Sequence, residues 1–307
     1  MTIARTKVLV LGGSGMLGSM VVDVLCRDAL LDVTATVRSD ALRMTMAERY
    51  PEANWQLFDP SSETPHHLFE GQTWAINAIG VTKPLINDAR ADDIERAIVI
   101  NSQLPHVLAH AAARAGTRIV QIATDCVFSG AKGAYTESDP HDALDVYGKT
   151  KSLGETFHAN VHHLRCSIIG PELKDHKFLI EWFRRQPIGA SLNGFINHQW
   201  NGITTLQFAK LCRGVIGGVP GLAHLAHVVP TGSVSKAEML HVFAAVYGRE
   251  DLVISDVPAA TVIDRTLSTN QPELNTALWT AAEYEHPPTV PEMIRELAAF
   301  GYRAVLA

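Results

Sequence analysis

The sequence predicts an α/β fold built on a doubly wound parallel sheet. Two observations carry that prediction: apolar runs of strand length alternate with helical patterns through the first half of the chain, and the first run ends in a glycine-rich turn that opens into a helix. Residues 7–11 are that first run. They lead into Gly12-Gly13-Ser14-Gly15-Met16-Leu17-Gly18, and a helical stretch follows over 20–27. Gly12, Gly15 and Gly18 stand three residues apart. The first permits a tight turn, the second lets a pyrophosphate approach the backbone, and the third lets helix and strand pack closely. The helix N-terminus adds amide donors and a dipole that favours phosphate. These features define a dinucleotide-binding turn of the Rossmann type.

The second strand, 32–37, is closed by Arg38 about 20 residues after the turn, where an acidic side chain would bind a ribose 2′-hydroxyl. Val37-Arg38-Ser39 offers no acid, and a guanidinium there forms charge-assisted bonds with a 2′-phosphate. NADPH is therefore favoured over NADH. Further strands are expected at 55–58, 74–77, 118–122 and 163–168, with helices at 91–115 and 146–158 between them. After Gly170 the alternation loosens, with helices at 178–185, 206–216 and 236–247 and a strand at 222–229.

The chemistry concentrates in Thr124-Asp125-Cys126-Val127-Phe128-Ser129-Gly130 and in Tyr147-Gly148-Lys149-Thr150-Lys151. Tyr147 and Lys151 lie four apart and share a helix face. An ammonium there lowers a neighbouring phenol toward the range useful for proton transfer. Thr124, delivered from a strand end, can hold a substrate oxygen beside that phenol. Together they form a device for protonating a carbonyl as hydride reaches its carbon.

On these residues the chain resembles an extended short-chain dehydrogenase/reductase, and within that superfamily the dTDP-4-dehydrorhamnose reductases. The similar segments run in order: Gly12 to Gly18, Asn77-Ala78-Ile79-Gly80, Asn101, Thr124 to Gly130, Tyr147 to Glu155, and Leu164-Arg165-Cys166-Ser167-Ile168-Ile169-Gly170. The resemblance implies catalysis by Thr124, Tyr147 and Lys151. It implies a cofactor lined by Ser14, Gly15, Met16 and Leu17 and by Ala78, Ile79 and Gly80, with Lys151 on the nicotinamide ribose and Tyr147 also against the cofactor. It also implies a smaller, discontinuous α/β substrate lobe of about 171–200 and 232–307, beside a Rossmann domain of 1–170 and about 201–231. Two segments depart from the family. Cys126 stands where the rhamnose-forming reductases usually place Tyr, and 197–205 is only loosely similar to their Asp-Gln-x-Gly-x-Pro-Thr segment.

Several residues keep two readings. Asn101 either bonds the cofactor or supports the active-site backbone, and Asp59 either meets adenine or forms an Asp-Pro turn. Trp200 either stacks on a nucleobase or packs in the small lobe, and Lys83 either reaches the active site or sits in water. Arg184 and Arg185 either meet a diphosphate or form a solvated helix face. The pairs His66-His67 and His162-His163 do not converge on a metal, because adjacent positions point apart.

Composition excludes other classes. A net charge of −6 offers no basic face to nucleic acid or an anionic membrane, and no apolar run reaches a membrane-spanning length of about 20 residues. Residues 1–7 lead straight into a strand, so no secretory signal is expected. The four cysteines, Cys26, Cys126, Cys166 and Cys212, lack paired spacing, which fits a reducing cytoplasmic location. The implied partner is a small nucleotide-sugar substrate. The oligomeric state stays open, with a homodimer among the alternatives.

The leading expectation is an NADPH-dependent reductase of a nucleotide-activated 4-keto-6-deoxy sugar. The alternatives are a nucleotide-sugar epimerase or dehydratase, and a non-catalytic NADP-binding regulatory subunit like the relative that partners methionine adenosyltransferase.

Overall fold

The structure, a computed structural model, describes residues 4–61, 64–174 and 176–303. In chain order its first half runs β1 (Thr6–Leu11), α1 (Met16–Cys26), β2 (Leu31–Val37), α2 (Asp40–Arg49), β3 (Asn54–Leu57), β4 (Trp74–Asn77), α3 (Ala91–Ala97), α4 (Leu104–Ala115), β5 (Arg118–Ala123) and α5 (Val146–Leu153). Next come β6 (Val161–Arg165), β7 (Ile168–Ile169), α6 (Leu179–Arg184), β8 (Ser191–Phe195), β9 (His198–Trp200), β10 (Ile203–Thr204) and α7 (Thr205–Gly217). The chain closes with β11 (Leu225–His227), β12 (Val234–Ser235), α8 (Lys236–Tyr247), β13 (Val253–Val257), β14 (Ile263–Asp264), α9 (Pro272–Ala281) and α10 (Val290–Ala299).

Among the described residues one parallel sheet has seven strands in the order β11-β6-β5-β4-β1-β2-β3. Both of its faces are covered, which is why β1 reads as a continuous apolar run. Val8 and Val10 enter the core shared with α1 and α7, whereas Leu9 and Leu11 enter the core shared with α4. Successive strand residues point to opposite faces, so four consecutive apolar side chains serve two layers. All four are fully buried, and each contributes about 1.5–3 kcal/mol. The order reverses between β1 and β4, leaving a crevice at their carboxyl ends where this architecture binds ligands.

Beyond β7 the pairings build small separate sheets. β8 pairs with β13 in parallel, and β9 pairs with β12 and β14. Helix α8 packs over β8 and β13. Between them β10 pairs with β7 in a separate two-stranded sheet, and β11 returns to the large sheet as its edge beside β6.

Four expectations are corrected in detail. The first helix starts at Met16, directly out of the glycine turn, rather than at 20. The expected single helix over 91–115 is interrupted by a π-helical stretch, Ile98–Gln103. Pro105 has no N–H to donate to the Asn101 carbonyl, and the Asn101 and Ser102 side chains bond to the backbones of Val81 and Thr150. The helix expected over 146–158 stops at Leu153, and the strand expected over 222–229 contracts to β11.

Candidate active site

A cleft of about 450 Å³ opens at the carboxyl ends of β1, β4 and β5. One wall is the turn into α1. Gly12 takes φ +80°, and a Cβ on Gly18 would collide with the Gly12 carbonyl. Gly12 and Gly18 therefore shape the turn from beneath, while Ser14, Gly15, Met16 and Leu17 line the cleft. The N-cap Gly15 offers no side-chain acceptor, and the first turn of α1 carries no acid. That leaves helix amides and a positive dipole end facing the cleft, which fits a pyrophosphate. The opposite wall is Ala78, Ile79 and Gly80 after β4. Asn77 holds this turn, accepting from the Ile79 amide at 3.1 Å and donating to Gln121 at 2.8 Å.

Thr124, Tyr147 and Lys151 meet on the same cleft. Thr124 follows β5 and N-caps a 3₁₀ turn, accepting from the Cys126 amide at 3.2 Å. Tyr147 and Lys151 lie on α5, whose N-cap Asp145 accepts from the Gly148 amide at 2.8 Å. The approach of α5 to the Thr124 turn depends on Gly148, where a Cβ would overlap the Cys126 carbonyl oxygen and the Ala143 methyl. Gly148→Ala is therefore expected to push Tyr147 away from Thr124 in a folded protein. A displacement near 1 Å costs about 10²-fold in rate. Turnover measured beside a thermal melt checks this: wild-type kcat at reduced stability would refute it.

The electrostatics differ from the sequence expectation. Burial pushes the Tyr147 phenol above its ordinary range, with Cys126 adding to the rise, while a hydrogen bond with Thr124 pulls it down. Lys151 does not act on the phenol here; its ammonium donates to the Ile122 carbonyl at 3.0 Å. Burial lowers the Lys151 pKa to about 8, against an upward pull from Glu155. Tyr147 thus stays protonated at neutral pH, the state a proton donor needs. Cys126 lines the cleft, and burial raises its thiol to about 12, so it is not a thiolate nucleophile.

Other candidates separate into two groups. Lys83 and Trp200 line the cleft. Lys83 pairs with Asp145 at 2.7 Å, which ties the 81–85 loop to the start of α5. The remaining residues do not line it. Arg38 is exposed at the end of β2 and forms no ion pair with another described residue. Asp59 accepts from the Ser61 amide at 2.9 Å in a turn. Asn101 is buried, its amide engaged with both polar atoms of Val81 at 2.8 Å, in a backbone-supporting position. Arg184 bonds to Glu181 at 3.2 Å and Arg185 to His176 at 2.9 Å. His162 and His163 bond to the carbonyls of Ala223 and Thr156. Among the described residues no three metal-ligating side chains cluster.

Asp125, Glu172 and Lys236 also line the cleft and were not singled out from sequence. Asp125 adjoins Thr124, so its place in the motif was a usable signal. Lys236 comes from the start of α8 and had no local signal at all.

The fold is of the Rossmann type, a parallel α/β sheet with helices on both faces. Residues 6–169 match the RmlD substrate binding domain, and the chain belongs to that family. The dTDP-4-dehydrorhamnose reductase of Burkholderia thailandensis is 42% identical over 69 residues, 22% of this chain and 23% of that protein. The UDP-glucose 4-epimerase of Neisseria meningitidis is 32% identical over 130 residues, 41% of this chain and 35% of that protein. The chain thus spans about a quarter to a third of the length of these curated relatives. Among solved structures, the dTDP-4-dehydrorhamnose reductase of Bacillus anthracis in complex with NADP superposes with a TM-score of 0.69 at 18% identity, covering 95% of this chain and 98% of that one. The UDP-glucuronic acid 4-epimerase of Bacillus cereus, solved with NAD, gives 0.74 at 14% identity over 95% and 99%. At these identities both establish a shared fold. No helix among the described residues is long and apolar enough to cross a membrane.

Proposed function

We propose that this protein is an NADPH-dependent reductase of a nucleotide-activated 4-keto-6-deoxy sugar. The observation that carries the reading is the convergence of Thr124, Tyr147 and Lys151 on one cleft with the amide-rich start of α1. The NADP-bound reductase of like fold and the Burkholderia reductase support the substrate class. Ser14 to Leu17 would hold the pyrophosphate, Ala78 to Gly80 the flank of the cofactor, and exposed Arg38 a 2′-phosphate. NADPH, when bound, supplies the hydride. Thr124 holds the ketone oxygen by a hydrogen bond, and Tyr147 gives that oxygen its proton as the alkoxide forms. Lys151 holds the nicotinamide ribose and presents a positive charge beneath the site. On this reading the segments 171–200 and 232–303 form the lobe that receives the sugar nucleotide.

The test is loss of absorbance at the NADPH band across a panel of nucleotide-linked 4-keto-6-deoxy sugars. Oxidation with at least one sugar is the expected result. Interconversion of 4-hydroxy epimers with no net oxidation would replace the reductase with an epimerase, the activity of the Neisseria relative. Tight NADPH binding with neither reaction would leave a non-catalytic regulatory subunit.

A further inference from the structure

Lys236 stands at the first position of α8, a poor place for a basic residue, because the helix dipole is positive there. Its ammonium lies 5.4 Å from the centre of the Trp200 ring and lines the cleft that holds Thr124 and Tyr147. It makes no hydrogen bond or ion pair with another described residue. Burial pushes it below the ordinary lysine range, opposed by attraction to Asp125 and then Cys126. A half-buried ammonium that faces the cleft with no protein partner, at the positive end of a helix, is unfavourably placed. Such breaches of local rules concentrate at functional sites.

The surrounding structure keeps Lys236 in place. Ser235 and Glu238 form a reciprocal capping box at the start of α8. Strand β12 pairs with β9 in a register that sets Val234 opposite Trp200. Gly194 of β8 leaves no room for a Cβ against Ala237. The ammonium is thereby presented to the Thr124-Asp125-Cys126 turn from across the cleft.

We propose that Lys236 is the residue that reads the sugar, donating to the hydroxyl on the carbon next to the ketone. This rests on the reductase reading above. With the ketone oxygen held by Thr124 and Tyr147, the substituent nearest the 125–126 turn is the one on an adjacent ring carbon. In a 4-keto-6-deoxy sugar one neighbour of the ketone, C3, bears a hydroxyl, and the other, C5, bears the methyl group. An ammonium has donors and no acceptor, so it recognises the hydroxyl oxygen, whose own proton is left for the Asp125 carboxyl. The substrate class is thus a 3-hydroxy-4-keto sugar nucleotide, with 3-deoxy sugars rejected.

The test compares dTDP-4-keto-6-deoxyglucose with its 3-deoxy analogue on the wild type, Lys236→Met and Lys236→Arg. kcat/KM is followed by NADPH oxidation, and affinity by calorimetry with NADP+ present. The wild type is expected to favour the hydroxylated sugar by about 10- to 100-fold, as for a hydrogen bond to a charged group. Lys236→Met should erase that preference by losing the hydroxylated sugar alone, and Lys236→Arg should restore part of it. A preference unchanged in Lys236→Met overturns the proposal. So does equal loss on both sugars, or equal weakening of free dTDP, which would place the ammonium on the nucleotide. If the wild type oxidises NADPH with neither sugar, the reductase reading fails on its own, and the calorimetric preference still decides the role of Lys236.

Discussion

Tyr147→Phe is expected to lower kcat by about 10²–10⁴-fold, the usual contribution of a positioned proton donor, with NADPH affinity nearly unchanged. The substitution removes one oxygen and keeps the half-buried ring that lines the cleft. Thr124 retains its bond to Asp125 at 3.2 Å, so the turn that faces the substrate has no cause to move. Steady-state turnover beside a cofactor titration checks this. A variant that keeps a tenth or more of wild-type kcat would show that the proton comes from elsewhere. The same assays give a pH signature. Burial sets the Lys151 pKa to about 8, whereas an unfolded lysine titrates near about 10.4. Below about 8 the ammonium is charged, and as pH rises through that value the charge beside the site is lost and turnover falls. Stability moves the other way. Between the two pKa values the unfolded chain binds the extra proton, so the burial penalty on Lys151 is relieved and stability rises with pH. Falling activity with rising stability over this window separates titration of Lys151 from alkaline unfolding.

Glu155→Gln is expected to destabilise the protein by about 3–5 kcal/mol, the cost of orphaning a buried charge. Arg165 on β6 is completely buried, and its Nη2 bonds both oxygens of Glu155 at 2.6 and 2.7 Å. Its other partners are imidazoles: Nη1 meets His227 at 2.9 Å, and Nη2 meets His141 at 2.8 Å. The guanidinium holds His141 below its ordinary range, after burial as the larger cause, and does the same to His227. Glu155 is therefore the anion that makes a charge in this interior tolerable. A melting point lowered on the order of 10 °C is the expected readout. The double variant Glu155→Gln/Arg165→Met should recover part of that loss, because it removes the orphaned charge. A melting point unchanged in Glu155→Gln would refute the argument. The single variant should also lower the Lys151 pKa further, because Glu155 is the leading group that raises it.

Elements whose signal lies within a few neighbours were legible in the sequence. Strand β1 was readable because both sheet faces are covered and every residue of the run 8–11 is buried. The start of α1 was less so, since Gly15 caps it without a side chain and leaves no polar N-cap to mark the boundary. The break at Ile98–Gln103 was hidden, although Pro105 was in view, because Asn101 and Ser102 find their partners on Val81 and Thr150. The reversal of the expected Tyr147 shift has the same origin: spacing placed Lys151 on the right face, but burial and the Ile122 carbonyl decide the charges.

The sequence by itself determined the alternating architecture, the glycine turn, and the placement of Tyr147 and Lys151 one turn apart on a helix. Each rests on periodicity or on contacts within one helix turn, which residue type and spacing encode directly. Only the tertiary structure decided that Asn101 faces the backbone of Val81, that buried Arg165 gathers Glu155, His141 and His227 around its guanidinium, and that Lys236 lines the cleft with the Thr124 turn. Those placements depend on strands and helices far apart in the chain, and on the cost of burying charge, which no local pattern of residues expresses.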